Sequence, residues 1–344
     1  MNSASDTAYT AKVPFLSESN QGPYNKVYGY FLSQCQKKGL KAGFATVKDF
    51  LKPGLFQSCW TFNKTWKRFK KPVSATILFD KFLPTTSYRK RKRALILTSK
   101  KESLLNNEKT VELCTDKLAT FNAFPKSSLP TVEVKDISKK ALLAAKKELD
   151  VLKKQQFAPS DFGQEYVLKN RYGWGGSSIF RLNFRENLEE IIQTIKKKAK
   201  KTANLFFVLQ PFLLFKKGFS FAKQKGRMDL RVVVLNQKIL QCYARTAKKG
   251  DFRCNLSKGG LIFYVKKDHL SKGIQKLIQR ITKRPLFRRG FFSLDFVQSN
   301  DQNLYLLEAN ASPGLYWDPN SSEDEASTKK LIRSLVAEFK KMVK

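Results

Sequence analysis

Residues 290–315 read GFFSLDFVQSNDQNLYLLEANASPGL, two apolar runs joined by a polar turn, and no other stretch constrains the chain as tightly. The first run carries a single carboxylate, Asp295. A turn of Ser, Asn, Asp and Gln follows, and the second run, residues 304–307, delivers Glu308 and Asn310 before Ser312-Pro313-Gly314 breaks it. Both runs have strand length and composition. Positions 308 and 310 are two apart on an extended chain, so their side chains share a face. Hairpin pairing would bring Asp295 beside them and gather three hard oxygen donors of the kind Mg²⁺ takes. A hairpin whose acids are merely solvated satisfies the same pattern, and so short a motif does not decide between the two.

With 344 residues and 42% hydrophobic content, the chain is long enough for about two or three packed units and too apolar for a disordered one. No apolar run reaches the roughly 20 residues of a membrane span. The opening MNSASDTAYT lacks the apolar core of a secretory signal, so the expected location is cytoplasmic. Cys35, Cys59, Cys114, Cys242 and Cys254 are odd in number and lack CxxC spacing, which points to reduced thiols and away from a zinc site or a disulfide framework. His269 is the only histidine, so Ser-His-Asp and Cys-His chemistry fall away unless that residue serves. Catalysis is expected from carboxylates, Lys, Arg and metal. The net charge is +38, from 66 Lys and Arg against 28 Asp and Glu, with runs at residues 89–93 and 196–198. Such a surface attracts nucleic acid, a ribonucleoprotein or an acidic protein tail; a general lysine bias accounts for it equally, because net charge speaks only to non-specific association.

Along the chain, residues 1–20 read as a loose tail and 21–110 as a small N-terminal α/β domain. Within it Val27, Tyr28, Phe31, Leu32 and Cys35 recur at helical spacing over 25–41. A strand-like GFATV follows, and residues 75–79 and 94–97 read as buried strands. Residues 111–204 hold a Lys- and Ala-rich helix over 138–156 and a strand over 165–169. Residues 205–344 hold strands over 205–209, 230–235 and 239–244 and a closing amphipathic helix over 327–343.

The segment YVLKNRYGWGGSSIF puts Lys169 at a strand end just before Gly173, Gly175 and Gly176. Glycines let backbone N–H groups approach phosphate oxygens, and an ammonium supplies charge. It is neither a P-loop nor a dinucleotide fingerprint, and a glycine-rich hairpin turn explains it as well. Further on, MDLRVVVL sets Asp229 and Arg231 on one strand face, and QCYARTAKKGDFRCNLSKGG adds Arg245, Arg253 and Asn255. Arginines on neighbouring strands can gather round one anion, since the guanidinium recognises phosphate or carboxylate bidentately; a solvated sheet face accounts for any one of them.

In order stand TDKLATF, VLK with GWGG, LQPFL, DLR, RTAKKGDFRCNLSKGG, and LDF with LLEANASPGL. This series resembles the ATP-grasp superfamily. GDFRCNLSKGG and EANASPGL are most similar to its RimK-type branch, ligases that join amino acids to protein or small-molecule carboxylates. The likeness runs from about residue 114 to 317. It implies a mixed α/β (α+β) architecture, an ATP-grasp fold of two α+β subdomains gripping ATP behind the N-terminal domain: residues 111–204 as the central or lid part, and 205–344 as the C-terminal part with the magnesium site. By the same resemblance Lys117 and Lys169 contact ATP phosphates, and Gly173, Gly175, Gly176 and Ser177 belong to the glycine loop over them. Gln210, Pro211, Phe212 and Leu213 bracket adenine. Arg231 and Arg245 hold the γ-phosphate or acyl phosphate, with Asn255 near the reacting phosphate. Asp295, Glu308 and Asn310 ligate Mg²⁺, Glu308 bridging two ions, with Mn²⁺ as a substitute.

The implied activity is ADP-forming carboxylate–amine ligation through an acyl phosphate, taking a carboxylate substrate and an amino-acid or amine co-substrate. The chain departs from the family pattern in a short segment between Lys117 and Pro130, where Pro125 interrupts the expected helix, and in the bulky Trp174 of the glycine loop. The N-terminal third matches only in outline, and its FNKTWKRFKKPVSATILFDKF is similar to spore-coat-associated ATP-grasp proteins. Two other readings stay open, a basic nucleic-acid- or ribosome-associated binding protein that keeps the fold alone, and an ATP-grasp kinase. The intact Asp295, Glu308 and Asn310 set argues against a dead site.

Overall fold

The computed structural model describes residues 23–81, 91, 93–96, 103–173, 175–176, 178–199, 205–221, 224, 226–256 and 259–343. These fall into two compact units, one built from the described residues up to 108 with 289–291 and 312–343, the other from 109–288 and 292–311.

In the first unit α1 (Pro23–Lys37) turns Val27, Tyr28, Phe31, Leu32 and Cys35 inward, as their spacing predicts. Three short strands, β1 (Phe50–Lys52), β2 (Leu55–Phe56) and β5 (Val73–Ser74), form an antiparallel sheet in the order β1-β2-β5. A hairpin of β3 (Cys59–Asn63) and β4 (Thr65–Phe69) and a parallel pair of β6 (Ile77–Leu78) and β7 (Ser103–Leu104) complete it. The GFATV stretch contributes a single bridge from Phe44 to Trp60 rather than a strand. Of the run 94–97, expected to be a buried strand, residues 94–96 belong to a helical stretch over 93–96, and residue 97 lies outside the described residues. Arg93 and Ile96 are buried while Ala94 and Leu95 are exposed, the three-residue spacing of a helix face, and Arg93 donates to Asp80 at 2.9 Å.

The second unit carries two antiparallel sheets. Helices α2 (Glu108–Thr115) and α3 (Lys117–Ala123) lead into it; α3 stops before Pro125, as expected. Strands β8 (Val132–Val134), β9 (Phe162–Asn170), β10 (Ile179–Leu182) and β11 (Phe207–Leu213) form one sheet, in the order β10-β9-β11-β8. Its outer face is covered by α4 (Lys139–Gln156) and α5 (Leu188–Ala199). In α4, Leu142, Ala145 and Leu149 recur at helical spacing behind Ser138, whose hydroxyl caps the helix by accepting from Ala141 N. In α5, Glu189 and Glu190 open the helix and Lys196 to Lys198 close it, each sign at its favourable dipole end. The apolar faces of both helices meet Tyr166, Leu168, Phe207 and Leu209 in one core, which leaves Val167, Lys169 and Gln210 on the opposite sheet face.

The other sheet runs β14-β13-β12-β15-β16, built from β12 (Met228–Leu235), β13 (Lys238–Thr246), β14 (Leu261–Tyr264), β15 (Phe291–Gln298) and β16 (Leu304–Asn310). β12 and β15 are buried almost throughout, which is why they read as near-continuous apolar runs. Helix α6 (Lys272–Thr282) belongs to this unit and buries Ile274, Leu277, Ile278 and Ile281. The closing helix α7 (Ser322–Val343) packs with α1 in the first unit, whereas the sequence grouped it with residues 205–311. No helix among the described residues is long and apolar enough to cross a membrane.

The β15–β16 turn is tied down on two sides. Asp161 accepts from Asn303 Nδ2 at 2.9 Å and from the Tyr305 hydroxyl. The chain leaving β11 joins the same turn through Asn300 N to Leu214 O and Lys217 N to Asn300 Oδ1, both 2.7 Å. Gly218 lies so close that a Cβ there would stand 2.0 Å from Gln298 O. Gly218→Ala is therefore expected to destabilise the protein by about 1–3 kcal/mol, as overpacking does. Gly273 in α6 has nothing nearer than 3.9 Å to its would-be Cβ, and Gly273→Ala should stabilise by about 0.5–1 kcal/mol. Urea midpoints of the two variants moving in opposite directions would bear this out; equal midpoints would count against the close packing at Gly218.

Candidate active site

Asp229, Arg231, Arg245, Asp295, Glu308 and Asn310 share one face of the five-stranded sheet. Asp229 stands directly opposite Arg245, and Asp295 directly opposite Glu308. Arg231 and Asn310 follow two residues along their strands. Arg231 donates from Nε and Nη2 to the two Asp295 oxygens at 2.6 and 2.5 Å. Arg245 donates from Nε and Nη2 to Asp229, both at 2.7 Å, and from Nη2 to Asp295 at 2.9 Å. The arginines expected to gather round an anion do so, but the anions are the protein's own carboxylates. Arg253 lines the cleft beside them with its guanidinium committed to Asp251.

Asp295 is fully buried. Burial alone would raise its carboxyl, but Arg231 and Arg245 outweigh that and hold it well below the usual carboxylate range. Asp229 has one guanidinium rather than two, and burial pushes it upward against the pull of Arg245. Asn310 Nδ2 lies 3.5 Å from both Asp295 Oδ2 and Glu308 Oε1, so the ends of all three side chains converge. A half turn of the Asn310 amide would present its oxygen to the same point. Two carboxylates and a carboxamide oxygen form a hard donor set that fits Mg²⁺ or Mn²⁺.

Two lysines face this acidic cluster. Lys117 opens α3, which Asp116 caps by accepting from Leu118 N and Ala119 N. Its Nζ donates to Gly173 O at 2.6 Å and stands 3.8 Å from Glu308 Oε2. Lys169, on the inner face of β9, is buried; burial, with Lys117 adding to it and Glu308 opposing, brings its ammonium down to about 8. Gly175 and Gly176 take φ of 64° and 71°, conformations that favour glycine. A Cβ on Gly176 would lie 2.8 Å from Asn255 Oδ1, which sets Asn255 against the glycine loop. Ser177 and Trp174 lie outside the described residues.

The cleft that these groups line encloses about 830 Å³ including its mouth. Its walls turn apolar at Val167, Ile179, Phe212, Phe215 and Leu307. Pairing of β11 with β8 ends at Leu209, and its register with β9 shifts between Pro211 and Leu213. Gln210, Pro211, Phe212 and Leu213 line the cleft from this loosened stretch. Gln210 Nε2 donates to Thr131 Oγ1 at 2.8 Å, while its Oε1 is buried without a hydrogen-bond partner among the described residues.

The sequence reading missed the roles of three residues, Asp229, Arg171 and Asp116. Asp229 was visible beside Arg231, but its pairing with Arg245 depends on cross-strand register. Arg171 donates to both oxygens of Asp116 at 2.8 and 2.6 Å and to Glu133 at 2.6 Å, tying the residue before the glycine loop to the cap of the helix that presents Lys117. An aspartate just ahead of a helical run is the signal that could have found Asp116.

The model of the RimK-like ATP-grasp domain matches residues 133–335. A probable alpha-L-glutamate ligase of Shewanella loihica is 28% identical over 149 residues, which are 43% of this chain and 44% of that protein. The chain spans about half the length of the curated relatives it matches. Among solved structures, a RimK domain ATP-grasp protein from Sphaerobacter thermophilus superposes with a TM-score of 0.56 at 16% identity, covering 90% of this chain and 94% of that one. The ATP-grasp ligase PsnB, complexed with a variant of its minimal precursor, Mg and ADP, gives 0.55 at 13%, covering 93% and 96%. The family model covers more than half of the sequence, and the fold of these neighbours is the fold described above: the chain belongs to the RimK-like ATP-grasp family.

Proposed function

We propose that the protein is an ATP- and Mg²⁺-dependent, ADP-forming carboxylate–amine ligase. One observation carries the reading: a single cleft is lined by Lys117, Lys169 and Glu308, the last converging with Asn310 and the buried Asp295 behind it, and by apolar side chains together with Gln210, whose Oε1 is an unsatisfied acceptor among the described residues. That is the charge distribution of a nucleoside triphosphate in negative. The exocyclic amine of adenine would satisfy Gln210 Oε1, where guanine offers a carbonyl instead. Relatives named as glutamate ligases, and a neighbour complexed with Mg and ADP, support the same reading.

In this reading residues 111–204 supply the lid over the phosphates and residues 205–311 the floor. Asp295, Glu308 and Asn310 would hold magnesium, as two ions, which would neutralise phosphate charge, and Mn²⁺ would substitute. Lys117 and Lys169 hold the phosphates, and the backbone of the glycine loop covers them. A carboxylate oxygen of the substrate attacks the γ-phosphorus; its bond to the β–γ bridging oxygen breaks, ADP leaves and an acyl phosphate forms. Arginines on the sheet face compensate the charge of the transferring group. The amine then attacks the acyl carbon, phosphate departs, and the nitrogen gives up a proton. No protein side chain forms a covalent bond, so a chain with one histidine suffices.

Lys169 gives the nucleotide step a pH signature. In the free protein its ammonium is half deprotonated near pH 8, whereas triphosphate beside it favours the charged form and raises its pKa. Nucleotide binding near pH 8 should therefore take up about half a proton, fading at lower pH where the lysine is already charged. Calorimetry in buffers of different ionisation enthalpy measures this. Uptake that survives Lys169→Met would remove that lysine from the phosphate site.

The ligation itself is tested by incubating the protein with Mg-ATP, pooled amino acids and peptides ending in different carboxylates, then following ADP release and mass gain. An acceptor should gain the mass of one amine component less water, and Glu308→Gln should cut ADP release by roughly 10² or more with circular dichroism unchanged. ADP formed at full rate by that variant would remove Glu308 from the metal site, and phosphorylated acceptor accumulating as the end product would contradict a ligase and favour a kinase.

A further inference from the structure

We infer that the two arginines of the site have different fates, Arg231 released and Arg245 retained, and that Asp229 is the positioning residue that separates them. The inference rests on the metal and nucleotide reading given above. Asp229, Arg231, Arg245 and Asp295 form a chain of ion pairs across β13, β12 and β15, two positive and two negative, with Asp295 fully buried. Both Asp295 oxygens are taken by guanidinium groups. The carboxylate assigned to the metal is thus already neutralised, with three of its roughly four lone-pair sites taken, and it can offer a cation more than one of them only when a guanidinium gives way.

The contacts decide which one. Among the described residues, the ion pairs of Arg231 go to Asp295 alone. Arg245 contributes a single donor to Asp295 but holds Asp229 through two, from a position directly opposite it on the neighbouring strand. When Asp295 turns to a cation, Arg245 keeps its bidentate partner and Arg231 loses its only one. Arg231 is only slightly exposed, and leaving its guanidinium unpaired there is costly, so it must find another anion, and the one arriving with the cation is phosphate. Arg231 would then reach the transferring group only once the cation is in place. Asp229 touches neither ligand in this scheme: it acts by keeping Arg245 from following Asp295.

Arginine Nε–H signals read this directly, without turnover. The full-length protein, labelled with ¹⁵N at arginine, should give slowly exchanging Nε–H signals for Arg231 and Arg245, assigned through Arg231→Lys and Arg245→Lys. Adding Mg²⁺ with ADP and inorganic phosphate should shift the Arg231 signal and change its hydrogen exchange by about tenfold or more, with Arg245 unmoved. In Asp229→Asn the Arg245 signal should respond as well, and Asp229→Glu should restore the wild-type pattern. If Asp229→Asn fails to fold, the wild-type titration alone still decides between the two arginines. Equal response of both arginines in wild type, or response of Arg245 alone, overturns the inference. So does silence from both while calorimetry shows Mg-ADP binding; absence of Mg-ADP binding overturns the underlying reading and the inference together.

Discussion

A carboxylate with no exposed surface is tolerated inside a sheet only if cations meet it there, and at Asp295 that condition organises the site. Stripping water from an ionised group costs several kcal/mol unless charge and hydrogen bonds replace the lost solvation. Arg231 and Arg245 supply both, and Asp229 balances the second arginine. Because the pairs join neighbouring strands, with Arg245 also reaching Asp295 across β12, the order β13-β12-β15 and its register are preconditions for the cluster. A one-residue slip would turn Asp229 and Arg231, or Asp295, to the opposite face and leave their partners buried and unpaired.

That dependence explains the reinforcement far from the cleft. The β15–β16 turn is fixed by Asp161 and by the chain leaving β11, so Asp295 and Glu308 meet at a set register. Beside the four-stranded sheet, Asp116 serves at once as the cap of α3 and as the partner of Arg171, which couples the position of Lys117 to the end of β9 that leads into the glycine loop. Charge in this site is placed by secondary structure and locked by pairs, and the cleft beside it has both charged and apolar walls.

Much of the site was legible because its residues are punctuated by strand periodicity: Glu308 and Asn310 two apart, Asp229 and Arg231 two apart, glycines after Lys169. The strands of the second unit were readable as short apolar runs, and the helix over 138–156 from its Lys- and Ala-rich composition. Register was not legible, since nothing local in the sequence says that Asp229 faces Arg245 or that Arg231 reaches Asp295; those facts belong to the sheet. Residues 94–96 misled for a simpler cause. A four-residue apolar run has no period of its own, and the burial of Arg93 with Ile96 chose a helix. Nor does an amphipathic closing helix announce its partner; α7 found α1, at the other end of the chain.

The central claim is that Asp295, Glu308 and Asn310 form one divalent-cation site facing Lys117 and Lys169. Crystals of the protein grown with Mn²⁺ and a non-hydrolysable ATP analogue test it most directly through anomalous scattering, which locates manganese independently of any assumed coordination. The account predicts manganese peaks within ligand distance of Asp295, Glu308 and Asn310, with the phosphates of the analogue between them and the two lysines. Phosphates bound by the lysines with no manganese at those three residues, or manganese held elsewhere in the cleft, would contradict it.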